Sequence, residues 1–116
     1  MGIRIGNIAE MLGATVLTPE LDMSREVDHA FASDLMSDVL TGDYNKTVLL
    51  TGLSNLQSIR TAEMSDIQEV IIGRNKEVSQ EMIDLAREND IILIRCSYSL
   101  YRISGLLYEA GIKPVY

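Results

Sequence analysis

The sequence predicts an α/β fold: a mainly parallel sheet flanked by helices on both faces, forming a single domain over residues 1–116. Three observations predict it. Strand-like and helix-like runs alternate through residues 46–110, which is the pattern of consecutive βαβ units. The strand runs are continuously apolar at their centres, as strands covered on both faces must be. A chain of 116 residues fits one domain and buries roughly two-thirds of its unfolded surface, so it needs neither disulfide nor metal to fold.

The elements follow in order. Ile5, Ile8 and Leu12 fall at i, i+3 and i+7 of a first helix, with Gly13 where a C-terminal cap belongs. A strand follows at Thr15 to Leu17. The turn Thr18-Pro19-Glu20 leads to a weaker extended piece around Arg25 to His29. Residues 14–30 fit either a hairpin on the sheet edge or a separate small cap. Ser33 is placed to cap a second helix that carries Leu35, Met36, Val39 and Leu40 on one face. After the turn Gly42-Asp43-Tyr44-Asn45, Lys46 to Leu50 reads as a buried parallel strand. Ser54 and Gln57 have the spacing of a capping box for a third helix. Ile67 to Ile72 is the next strand, and Val78, Met82 and Leu85 mark a fourth helix. Asp90 to Ile94 is another apolar strand. Leu100, Ile103, Leu107 and Ala110 stripe a fifth helix that Gly111 closes, and Lys113 to Tyr116 fits a last short strand.

Composition narrows the function. The net charge is −7, and the Lys and Arg residues are scattered singly. A nucleic-acid binder is expected to show a basic patch, and an anionic membrane surface favours the same charge, so neither partner is expected. With no Trp and one Phe the core must be aliphatic, with Met36, Met64 and Met82 filling gaps. A lone cysteine, Cys96, makes no internal disulfide. The N-terminal residues lack the pattern of a signal peptide, and no run approaches ~18 apolar residues, so the expected location is the cytoplasm.

Candidate sites follow from the topology. Ligands of open parallel sheets bind beyond the carboxyl ends of the strands. Three such ends are Thr51-Gly52-Leu53-Ser54, Gly73-Arg74-Asn75 and Cys96-Ser97-Tyr98-Ser99. Each leads into a helix whose first amides are unpaired and partly positive. Arg74 is the one fixed cation among the three loops and can form a fork to phosphate or carboxylate. The candidate ligand-binding residues are therefore Thr51, Gly52, Ser54, Gly73, Arg74, Ser97 and Tyr98. Helix capping and turn geometry alone also account for the Gly and Ser residues there, and neither phosphate-loop pattern is present.

Ser33-Asp34 and Ser37-Asp38 repeat at i, i+4, so Asp34 and Asp38 would share a helix face. Such a pair fits a divalent cation or a shared proton, or simply acidic residues in a first turn. Ser33, Asp34 and Asp38 thus form a secondary candidate site. His29 is the only histidine, so no histidine metal cluster is possible and no metal ligand set or cofactor is expected. A Cys96–His29 pair is conceivable in space, although a cysteine at a strand end is more often a half-buried small residue. Glu63, Asp66, Glu69 and Glu77 read as solvated faces.

The residues also resemble a family. The run Ile8-Ala9-Glu10-Met11-Leu12-Gly13-Ala14 before a strand, then Ala32 to Leu40, resembles the opening of DRTGG domains. So does the order strand, Thr51-Gly52, helix, Val70-Ile71-Ile72-Gly73-Arg74, helix, and the strand Ile91 to Ile94. Ser97-Tyr98 leading to Leu106 through Ile112 completes the likeness, which covers nearly the whole chain and is closest to the short stand-alone form. The family's Asp-Arg pair is absent after Gly52, where this chain has Leu53-Ser54, and its Thr-Gly-Gly is Ile72-Gly73-Arg74. Its frequent Asp-Thr before the last helix is Ser99-Leu100. The resemblance implies a fold similar to the N-terminal domain of HPr kinase/phosphorylase and a regulatory module without catalytic residues.

Three expectations result. The first is a non-catalytic homodimeric module that senses a small anionic ligand of the nucleotide or phosphate kind, or docks to a metabolic enzyme. Its alternative is a pure protein-interaction subunit with no small ligand. The third is a small enzyme using Cys96 or the Asp34/Asp38 pair, against which the absence of a base near Cys96 weighs.

Overall fold

The computed structural model describes residues 2–116. In chain order the elements are β1 (Ile3–Arg4), α1 (Ile5–Met11), β2 (Thr15–Val16), β3 (Glu26–Val27), β4 (His29–Ala32), α2 (Met36–Val39) and β5 (Thr47–Thr51). They continue with α3 (Leu56–Met64), β6 (Glu69–Ile72), α4 (Gln80–Glu88), β7 (Ile92–Arg95), α5 (Leu100–Glu109) and β8 (Lys113–Pro114). The main sheet has six strands in the order β2-β7-β6-β5-β4-β8, and β1 pairs antiparallel with β3 apart from it. Strands β4 to β8 run parallel, and β2 joins the β7 edge antiparallel.

Residues 14–30 therefore divide between two fates. Thr15–Val16 closes one edge of the main sheet, where the fully buried Thr18 hydroxyl accepts the Leu93 amide at 3.1 Å and continues the ladder. Glu26–Val27 forms the separate ribbon with β1. The extended piece expected at Arg25 to His29 is broken at Asp28, and its last residue, His29, opens a separate parallel strand, His29–Ala32, beside β5.

The strands β5 and β6 are buried at every position, as the apolar runs predict. Their side chains alternate between two cores. Val48, Leu50, Ile71, Ile92 and Ile94 pack with α1 and α5 through Ile5, Ile8, Ile103 and Leu107. Leu49, Val70, Ile72 and Leu93 pack with α2, α3 and α4 through Met36, Val39, Ile59, Met82 and Ala86. Helices on both faces of a mainly parallel sheet match the fold class read from the sequence. Gly13 and Gly111 adopt φ of +58° and +103°, so the two helix stops fall where glycine predicts them. No helix among the described residues is long and apolar enough to cross a membrane.

Several local expectations are corrected. The second helix has only four residues, starts after Leu35, and has no side-chain cap. Ser33 instead accepts the Leu35 amide in a turn at 3.1 Å. Leu35 and Leu40 are exposed, because four residues cannot turn all four apolar side chains onto the core. The third helix is capped by Asn55, whose side chain accepts the Ser58 amide, and not by Ser54 with Gln57. Met36 and Met82 are core, but Met64 is exposed at the end of α3. Cys96 is fully buried rather than half-buried.

Candidate functional site

The strands β6 and β7 are neighbours that send their helices to opposite faces of the sheet: α4 packs on one core and α5 on the other. In such sheets ligands usually bind beyond the carboxyl ends of strands that diverge in this way. Here the two loops beyond those ends are stitched together by backbone bonds. The Arg74 amide donates to the Tyr98 carbonyl at 2.8 Å, and the Asn75 amide to the Cys96 carbonyl at 3.1 Å. Arg95 Nε donates to the Lys76 carbonyl at 2.8 Å from the same side. Gly73 is buried under α5, where a Cβ would lie 3.0 Å from both Ile103 Cδ1 and Leu100 Cδ2. The stitched turn holds two consecutive non-glycine residues in the left-handed region, Arg74 at φ +66° and Asn75 at φ +54°. Each such residue stores on the order of 1 kcal/mol of strain.

One strand over, the fourth strand end joins the rim. Because β4 is a main-sheet strand, the turn after Ala32 carries Asp34 to the end of β5. Asp34 Oδ1 accepts the Thr51 hydroxyl at 2.9 Å and the Gly52 amide at 2.7 Å. Its Oδ2 lies 3.8 Å from Arg74 Nη1. Gly52 makes this possible, since a Cβ there would sit 2.6 Å from Arg74 Cδ. The Asp34 and Arg74 side chains are 47% and 51% exposed, so the pair is water-screened.

The structure thus brings together Thr51, Gly52 and Arg74 from the principal candidates and Asp34 from the secondary ones. The remaining candidates have other partners. Ser54 donates to the Glu77 carbonyl and contacts Met82 Sδ, tying the α3 entry to the α4 entry. Tyr98 packs on the core with the Arg102 guanidinium 3.7 Å above its ring. Ser97 is exposed in the bend before α5. Asp38 does not share a helix face with Asp34, which lies outside α2. The Asp38 carbonyl takes the Thr41 hydroxyl instead. His29 begins β4 and Cys96 follows the last residue of β7, so the parallel strands hold them at opposite ends of the sheet.

The amino end of the sheet holds what the sequence reading missed. Glu69, expected on a solvated face, is buried at the start of β6 and lines a cleft of about 360 Å³ with Arg25, Lys46 and Thr47. Arg25 Nη1 lies 3.7 Å from the Glu69 carboxylate, and its Nη2 bonds Asp90 Oδ1 at 2.6 Å. Burial raises the Glu69 carboxyl to about 7, against the opposing pull of the Arg25 charge. On the same side Asp28 accepts a 2.6 Å bond from the His29 ring, which holds its carboxyl below the ordinary range.

No protein-family model matches the chain, and no curated protein matches it. Among solved structures it is similar in fold to the CBS and DRTGG domains of the regulatory region of Clostridium perfringens pyrophosphatase, complexed with the activator diadenosine tetraphosphate. The TM-score is 0.75 at 16% sequence identity over 97% of this chain. This chain spans about half of that one, covering 48% of its length.

Proposed function

We propose that this chain is a non-catalytic regulatory module that binds a small anionic ligand, of the nucleotide or phosphate kind, at the carboxyl rim of its sheet. The observation that carries this reading is Arg74. Its backbone is held in a strained left-handed turn by bonds to the neighbouring loop, and its guanidinium stands half in water over Gly52, beside the Asp34 carboxylate. A non-glycine residue held in the left-handed region at a strand end is a place where ligand sites cluster. A guanidinium beside a backbone donor suits an anion. The fold likeness to DRTGG-containing regulatory architecture supports a sensing role, and the activator of that complex is a nucleotide of the same chemical class.

The test is a thermal-shift screen against nucleotides, acyl phosphates, inorganic phosphate and divalent metals. A ligand at a hundredfold over its Kd stabilises by about 2.7 kcal/mol, which for a domain near this size is roughly 10 °C. The expected result is a shift with an anion that is lost in Arg74→Ala. A shift that survives Arg74→Ala moves the site elsewhere.

The interaction-subunit reading is favoured by a different surface. Tyr101 and Tyr108 are exposed on α5, and Tyr108 borders an apolar groove of about 190 Å³ with Leu107, Ile112 and Pro114. Exposed aromatics beside an apolar recess suit a protein partner, a second copy or a metabolic enzyme. Gel filtration with light scattering checks the homodimer: a monomer at all concentrations removes it.

A further inference from the structure

We infer that the Asp34 carboxylate is a built-in occupant of the rim's anion position, and that it restricts the rim to phosphoryl groups over carboxylates. The inference rests on the rim reading above and adds the residue that sets its specificity. Three donors face this position: the Thr51 hydroxyl, the Gly52 amide and the Arg74 guanidinium. Asp34 engages the first two at 2.9 and 2.7 Å through one oxygen, and faces the third at 3.8 Å through the other. An anion arriving at these donors meets a carboxylate already there.

The occupant is tethered but not locked. Asp34 lies in the turn between β4 and α2, outside both elements, and half of its side chain is in water. Its contact with Arg74 exceeds hydrogen-bond length. A χ1 rotation would return the carboxylate to solvent and free the buried Thr51 hydroxyl and Gly52 amide for an incoming anion. Tethering gives it a high effective concentration, on the order of millimolar or above. A free carboxylate offers the same single charge and the same two oxygens, so it has no advantage over the tethered one. A phosphoryl group carries about −1.5 to −2 charges and three acceptor oxygens, one for each donor. It gains the Arg74 contact that Asp34 only approaches.

Calorimetric titration with inorganic pyrophosphate and with acetate tests this on the wild type, Asp34→Asn and Asp34→Ala. Asn keeps an oxygen for the Thr51 and Gly52 bonds but loses the charge, while Ala empties the position. Pyrophosphate affinity is expected to rise from wild type to Asn to Ala. The total gain is about tenfold if the open form is about a tenth of the wild-type population. Acetate binding is expected only where the position is empty. Weaker or unchanged pyrophosphate binding in the variants overturns the inference, because Asp34 then supports the ligand or ignores it. If none of the three proteins binds pyrophosphate, the rim reading itself fails. Thermal unfolding monitors folding, and if Ala does not fold, the near-isosteric Asn decides alone.

Discussion

At the carboxyl end of the sheet Asp34 and Arg74 stand half in water, 3.8 Å apart. At the amino end Glu69 is buried beneath Arg25, at a similar 3.7 Å. The two ion pairs have nearly the same separation and opposite physics. The rim carboxylate is held by two neutral donors and keeps about half its exposure, so its charge costs little. The amino-end carboxylate has lost its solvent and has only one long contact to a cation, so burial dominates and its carboxyl rises to about 7. The fold thus keeps a half-exposed charge at the end where we propose that an anion binds and a buried one at the other.

Three substitutions sharpen or break that contrast. Arg25→Ala should have the largest effect. It strips Glu69 of its cation and removes the bonds to the Asp90 carboxylate and carbonyl. Loss of one partner of a buried pair is strongly destabilising, here by about 3 kcal/mol near pH 8, read by urea denaturation. An effect no larger than that of a surface pair would show that the amino-end cluster is not structural.

Glu69→Gln comes next and has the opposite sign. The folded carboxyl titrates at about 7 from an ordinary 4.5, so the native state retains a proton that the unfolded chain releases between those values. The contribution of this group is full below about pH 4.5 and is lost as the pH rises through 7. Removing the charge should therefore stabilise the protein at pH 8 by about 2 kcal/mol. The gain should fade toward zero by pH 4. Destabilisation at pH 8 would mean that the Arg25 pairing outweighs the burial.

The smallest effect is expected at the rim. Arg74→Gly relieves the left-handed strain at φ +66° and sacrifices only a half-exposed ion pair. Stability should rise by roughly 0.5–1 kcal/mol while anion binding disappears. A loss of stability would show that Arg74 is retained for packing over Gly52 and not for a ligand.

The legibility of these features in the sequence followed their locality. The strands β5, β6 and β7 and the helices α4 and α5 each show as one periodic or apolar run, so their order and the parallel sheet could be read directly, whereas α3 was read from a cap that belongs to Asn55. The strand β4 could not be read to its full length: His29 to Ala32 is only partly buried, and its strand character comes from pairing with β5 and β8. Asp34 depends on that strand for its position, so sequence spacing placed it beside Asp38 on a helix that starts two residues later. The shared rim position of Thr51, Gly52 and Arg74 was legible because they lie at the ends of strands that were themselves legible. Glu69 was not, because a carboxylate heading an apolar strand reads as the solvent end. It is buried with its whole strand and faces Arg25, which arrives from just before β3, far away in sequence.

The measurement that tests the central claim most directly is an amide chemical-shift map of the wild-type protein titrated with inorganic phosphate. The account predicts that the responses centre on Gly52, Leu53, Arg74 and Asn75, with the amino end silent. Responses centred on Lys46, Thr47 and Glu69, or none at saturating phosphate, would contradict it.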